Sequence, residues 1–291
     1  VSTAPQLRAR DVTRRFGSLV AVDRVTMHVD AGEVVGLLGA NGAGKTTLIR
    51  MLLGLQPASA GSVWLLGGPP DRERRRRLGY VPQGLGLYRD LTVRENLAFS
   101  SHAYATAEPT LPPALEPVAD RLVGDIPLGF QRQVAFLAAL AHDPEVLVLD
   151  EPTSGVDALG GAGLWDTIHD QAERGVGVLV TTHNMQEAQQ CDRLLLMSSG
   201  RLVAQGSEAD VVGGTTAIEV RTEDWARTFE ALEAASLPVM LAGRAVRVAD
   251  ADPAVLRAAL DRAGISGELV AVPATIEERM AVLARAASAG G

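Results

Sequence analysis

The stretch Glu33–Leu55, EVVGLLGANGAGKTTLIRMLLGL, decides the fold. Its opening, Glu33 to Leu38, is a short, β-rich apolar run and predicts a strand buried on both faces. The next eight residues, Gly39, Ala40, Asn41, Gly42, Ala43, Gly44, Lys45 and Thr46, fit the phosphate-loop pattern G-x-x-x-x-G-K-[ST]. Thr47 to Leu55 then predicts a helix, so the pattern lies between a strand and a helix as it requires. The glycines let backbone N–H groups turn inward around phosphate oxygens, and the helix N-terminus adds positive potential. Lys45 can reach the β- and γ-phosphates, the Thr46 hydroxyl can ligate Mg²⁺, and Thr47 follows in the same nucleotide-binding run. Of 27 basic residues, Lys45 is the only lysine. The planar guanidinium used everywhere else does not replace a compact ammonium in a phosphate cradle.

A phosphate loop alone leaves kinases, small GTPases, recombinases and transport ATPases open. A guanine-reading NKxD is excluded, because there is no second lysine. Working outward, Val146 to Glu151 reads VLVLDE, a buried strand ending in two carboxylates. Asp150 at the strand end can hold Mg²⁺, and Glu151 can orient and deprotonate an attacking water. This strand, read as Glu145 to Leu149, is the second buried strand, and Gly177 to Thr181 predicts a third. With helical patterns between them, they imply a mainly parallel sheet in an α/β fold.

Residues 84–125 are less regular, broken by Pro109, Pro112, Pro113 and Pro117. They predict a helical insert, reaching to about residue 143, with a loop at its middle. The run Arg72 to Arg77, RERRRR, reads as a solvated helix face. After Gly213 and Gly214 the pattern changes. Ala217–Arg221 predicts a strand, Glu223–Ala235 a helix and Val239–Val248 a hairpin turning at Gly243 and Arg244. Pro253–Gly264 predicts a helix, Glu268–Val272 a strand and Thr275–Ala287 a last helix. This order suits a small split α+β domain. The expected domains are therefore 1–213 and 214–291.

The net charge of −8 argues against a nucleic-acid partner. Cys191 is the only cysteine, which excludes an intrachain disulfide and a cysteine zinc cluster. The longest apolar stretch, Val134 to Ala141, is far short of a membrane span, and VSTAPQLRARDVTRRF has no signal-peptide core. If the protein works at a membrane, another chain is expected to hold it there.

The string LVLDEPTSGVD (Leu147–Asp157), together with GANGAGKTT, resembles the ATP-binding subunit of ABC transporters over roughly residues 7–212. That resemblance implies a P-loop NTPase nucleotide-binding domain with a helical subdomain, using ATP and Mg²⁺. It places Phe16 where an aromatic ring stacks on adenine. Gln83, in GYVPQ, matches the glutamine that touches Mg²⁺ and faces the membrane partner. His183, in TTHNMQEA and framed by Thr181, Thr182 and Glu187, matches the switch histidine at the γ-phosphate. Asp157 matches the loop between two ATP sites.

One motif departs from the family. The signature, usually Leu-Ser-Gly-Gly-Gln, falls at Ile126-Pro127-Leu128-Gly129-Phe130, where Pro127 replaces the serine and Leu128 the first glycine. Pro127 offers neither hydroxyl nor N–H to an opposing γ-phosphate, whereas the Gly129 N–H remains. SGVD, THNMQEAQQCDR (Thr182–Arg193) and the C-terminal appendage are similar to bacterial exporters of the daunorubicin-resistance type. The resemblance therefore implies a cytoplasmic ATPase subunit, peripheral on the inner face of the membrane, that powers drug efflux through a separate permease. It dimerises around two ATP molecules, and a homodimer is favoured over a heterodimer. The competing readings are a non-transport ABC ATPase of repair or translation, and a low-turnover regulatory ATP-binding module. The first is disfavoured by a single cassette without sustained heptads.

Overall fold

A computed structural model describes residues 4–289 of the chain. The chain divides into two compact units after Leu202. The first unit opens with strands β1 (Leu7–Phe16), β2 (Leu19–Val29) and β3 (Val34–Leu38), then helix α1 (Lys45–Leu52). Next come β4 (Ala60–Leu65), α2 (Arg72–Arg75), β5 (Leu78–Val81), α3 (Val93–Tyr104) and α4 (Leu128–Leu140). β6 (Val146–Asp150), α5 (Ala158–Glu173), β7 (Gly177–Thr182), α6 (Met185–Ala188) and β8 (Arg193–Ser198) follow, and β9 (Arg201–Gly206) straddles the division. The second unit holds α7 (Glu208–Val212), β10 (Thr216–Arg221), α8 (Trp225–Ala234), β11 (Val239–Ala242), β12 (Ala245–Ala249), α9 (Pro253–Ala263), β13 (Glu268–Pro273) and α10 (Ile276–Ala289).

The main sheet runs β5-β6-β7-β3-β8-β9. Strand β3 sits inside it, parallel to β7 on one side and β8 on the other. That position explains why VVGLL is buried at every residue. Side-chain alternation divides these strands between two cores. Val35, Leu37, Val146 and Val148 join Leu48 and Leu52 of α1 and the inward residues of β1 and β2. Leu147, Leu149, Val178 and Val180 face the other way, onto Leu164, Trp165 and Ile168 of α5. A smaller cluster of Val93, Leu97, Leu115, Val123, Ile126 and Val134 holds the helical insert together.

The mainly parallel reading of the first unit needs one addition. β2, β1 and β4 form a separate antiparallel sheet. Its strands show interrupted alternation, because Asp11 and Arg24 take left-handed φ values and shift the register. The phosphate-loop helix also starts earlier than expected, at Lys45 rather than Thr47, and stops at Leu52. Gly54, at φ +66°, makes the left-handed turn that ends it. The arginine run forms only the short α2, with no buried residue, and Asp71 caps it.

In the second unit a four-stranded antiparallel sheet runs β11-β12-β10-β13. Its element order follows the split α+β expectation. The division after Leu202 lies ahead of the Gly213–Gly214 position read from composition.

Candidate functional site

The phosphate loop is shaped by close backbone approaches. Gly39 and Gly44 have φ of 153° and 101°. A Cβ on Gly39 would lie 2.5 Å from the Met197 carbonyl oxygen, and one on Gly44 would lie 2.4 Å from that of Ala21. Both positions therefore exclude side chains for two reasons at once. The Gly200 N–H donates to the Ala43 carbonyl at 3.0 Å and pins the loop to the turn after β8. Ala40, Asn41 and Gly42 are exposed at its tip, and Thr46 and Thr47 stand half-buried in the first turn of α1. Lys45 is only 7% exposed. Its ammonium donates to the Gly39 carbonyl at 2.6 Å and to the Ala40 carbonyl at 3.3 Å. Burial pushes its pKa below the usual lysine value, and the charges of Glu151 and Asp150 oppose that shift.

Beside the loop, β6 ends at the buried Asp150. Its register partner on β7, Thr181, donates its hydroxyl to Asp150 Oδ1 at 2.6 Å. The chain then turns sharply at Glu151, a non-glycine residue with φ +53°. The Glu151 N–H donates to the Thr181 hydroxyl at 3.0 Å and to its carbonyl at 3.2 Å. This turn presents the Glu151 carboxylate to two other segments. Gln83 Nε2 donates to Oε2 at 3.3 Å, and His183 Nδ1 lies 3.4 Å from Oε1. A cleft of about 220 Å³ opens here, lined by Glu151, Ser154, Thr182, His183, Asn184 and Glu187 among others. The structure thus brings together Lys45, Asp150, Glu151, Gln83 and His183 from four separate segments.

The remaining sequence-predicted residues make other contacts. Among the described residues, no hydrogen bond joins Phe16, Pro127, Leu128 or Gly129 to the phosphate loop. Phe16 is 46% exposed at the end of β1, with the Arg14 guanidinium 4.7 Å from its ring centre. Pro127 is the N-cap of α4, not its first helical residue. Its carbonyl accepts from Phe130 and Gln131, but it has no side chain to cap the helix. Leu128 leans on Gly155, where an added Cβ would meet it at 2.5 Å. Asp157 caps α5 through the Gly160 N–H at 2.8 Å.

Sequence reasoning missed Arg132. It is the only charged residue in α4, and it is 5% exposed. Its Nη1 donates to the Glu151 carbonyl at 2.8 Å and its Nε to the Ser154 carbonyl at 2.5 Å. A lone charge in a helix whose other residues are uncharged was the available signal. Thr153 was also missed; its hydroxyl donates to the buried Glu187 carboxylate.

Thr46, Gln83 and Asp150 offer a hydroxyl, an amide oxygen and a carboxylate, hard oxygen donors that suit Mg²⁺. Loop, helix terminus and acidic strand end together define a P-loop NTPase. The comparisons with known proteins go further. The ABC transporter family model matches residues 22–154. The chain is 40% identical to the Nod factor export ATP-binding protein I of Burkholderia lata, over 86% of this chain and 88% of that one. It is 39% identical to the probable multidrug ABC transporter ATP-binding protein YbhF of Escherichia coli, over 70% of this chain and 38% of that one. The solved ATP-binding subunit of an ABC transporter superposes with a TM-score of 0.66 at 30% identity, over 71% of this chain and 91% of that one. The chain belongs to the ATP-binding subunits of ABC transporters, and it is an ABC-type ATPase that binds ATP.

Proposed function

We propose that this chain hydrolyses ATP to drive export of drugs or other amphipathic compounds through a separate membrane permease. The observation that carries the chemistry is the Glu151 carboxylate, held between Gln83 and His183. In this reading Lys45 and the loop N–H groups hold the phosphates. Thr46, Asp150 and Gln83 would hold Mg²⁺, which would supply charge neutralisation on the phosphates. Glu151 takes the proton of the attacking water, and His183 addresses the γ-phosphate. Phe16, exposed at the end of β1, would offer a face for adenine.

Export is supported by relatives whose names denote Nod factor export and multidrug transport. A groove of about 390 Å³ adjoins the segment after Gln83, between Leu85, Leu87, Tyr104 and Ala138. Its position supports coupling to the permease there. No helix among the described residues is long and apolar enough to cross a membrane. The chain would be held at the inner face by that permease, without a nucleic-acid partner.

Two copies would sandwich two ATP molecules, each lying between one copy's loop and the other's α4 N-terminus. Asp157 would sit between the sites. We favour a homodimer, since Glu151 and His183 are both present. Pro127 favours one alternative, a slow regulatory ATPase, because the N-cap lacks a hydroxyl. ATP turnover by the purified chain, alone and with a permease in vesicles, tests the reading. Substrate-stimulated turnover and transport support it. Turnover indifferent to any permease contradicts it.

A further inference from the structure

Glu151 occupies an unfavourable conformation. Its φ of +53° lies in the left-handed region, and Pro152 follows it, which restricts its backbone further. Such a residue persists only where its surroundings over-determine it. On one side the Thr181 carbonyl and hydroxyl fix its N–H. On the other side Pro152 supplies no donor, and the Glu151 carbonyl accepts from Arg132 Nη1 at 2.8 Å and, more weakly, from the Ser154 N–H at 3.3 Å. The same guanidinium holds the Ser154 carbonyl, so it closes both ends of the turn 151–154. Arg132 reaches this turn from α4, the helix that begins beside Pro127 and whose Leu128 leans on Gly155.

We propose that Arg132 is a positioning residue for ATP hydrolysis. By clamping the carbonyls of Glu151 and Ser154, it fixes the left-handed turn that aims the Glu151 carboxylate at the attacking water. The inference rests on Glu151 being the general base. It adds that the base and the N-terminal turns of α4 are mechanically one piece. Both hydrogen bonds of Arg132 go to backbone carbonyls, and its charge also faces the Glu151 and Glu187 carboxylates; in this reading it contributes nothing to nucleotide binding.

The test is steady-state ATPase kinetics and ATP affinity of the full chain carrying Arg132→Gln, Arg132→Lys, or Arg132→Gln in a Glu151→Gln background. Misplacing a reacting group by about 1 Å costs on the order of 100-fold in rate. Arg132→Gln is expected to lower kcat ~10–100-fold with ATP affinity within about threefold of wild type. Arg132→Lys, which keeps one charged donor, should recover part of that loss. In the Glu151→Gln background, adding Arg132→Gln should lower the residual rate no further. If Arg132→Gln does not fold, Arg132→Lys carries the same kcat-against-affinity test. Equal kcat in wild type and Arg132→Gln overturns the inference alone. So does a parallel fall in kcat, ATP affinity and thermal stability, which marks a purely structural role. A wild-type rate that Glu151→Gln leaves unchanged overturns the reading of Glu151, and the inference with it.

Discussion

At the scale of single residues, the site is a set of charges placed by backbone turns. Lys45 is buried in the loop with its ammonium on two loop carbonyls. Phosphate oxygens would offer it a stronger, charge-assisted partner. With no other lysine in the chain, Lys45→Ala is expected to weaken ATP binding at least tenfold, or to abolish turnover, as read by nucleotide titration and phosphate release. Undiminished binding and hydrolysis would remove the phosphate-loop assignment. Lys45, Asp150 and Glu151 were legible because their spacing follows directly from a strand, a turn and a helix. Arg132 was not legible, because its partners lie 19 and 22 residues away, across a strand and a bend. Local periodicity carries no information on such a contact.

At the scale of elements, caps and buried polar groups set the local stability. Asp157→Ala removes the side-chain cap of α5 and should cost about 1 kcal/mol, seen as a lower midpoint in urea unfolding with unchanged slope. An unchanged midpoint would show that the cap contributes nothing. The contact between α3 and the end of α4 carries a pH dependence. His142 stacks on Tyr104 at 3.8 Å between ring centres and bonds the Leu78 carbonyl, and its Nδ1 is buried without a partner. Burial pushes its pKa below the usual 6.5, opposed by the Leu78 bond and the charge of Asp143. Below pH 6.5 the unfolded chain therefore holds a proton that the folded chain does not, so stability falls as pH falls. Thermal midpoints should drop between about pH 7.5 and about pH 5.5, and drop less in His142→Phe. Identical slopes would exclude His142 as the source.

The elements themselves were unevenly legible. β3, β6 and β7 stood out because strands buried on both faces read as unbroken apolar runs. The antiparallel β1, β2 and β4 did not, since their bulges break the alternation that would reveal them.

At the scale of the whole molecule, the proposed function depends on assembly. Among the described residues, no hydrogen bond joins Pro127, Leu128 or Gly129 to the chain's own phosphate loop. In the proposed sandwich those residues would serve the opposing copy. The fold class was legible from motif order and strand–helix alternation. The division after Leu202 was not, because β9 passes through it without a composition change. The most direct test of the account is sedimentation of the Glu151→Gln variant with and without ATP. Loss of the general base should block hydrolysis while leaving ATP binding intact. The account predicts a particle of one chain mass without nucleotide and twice that mass with ATP. A variant that binds ATP and stays monomeric would contradict it.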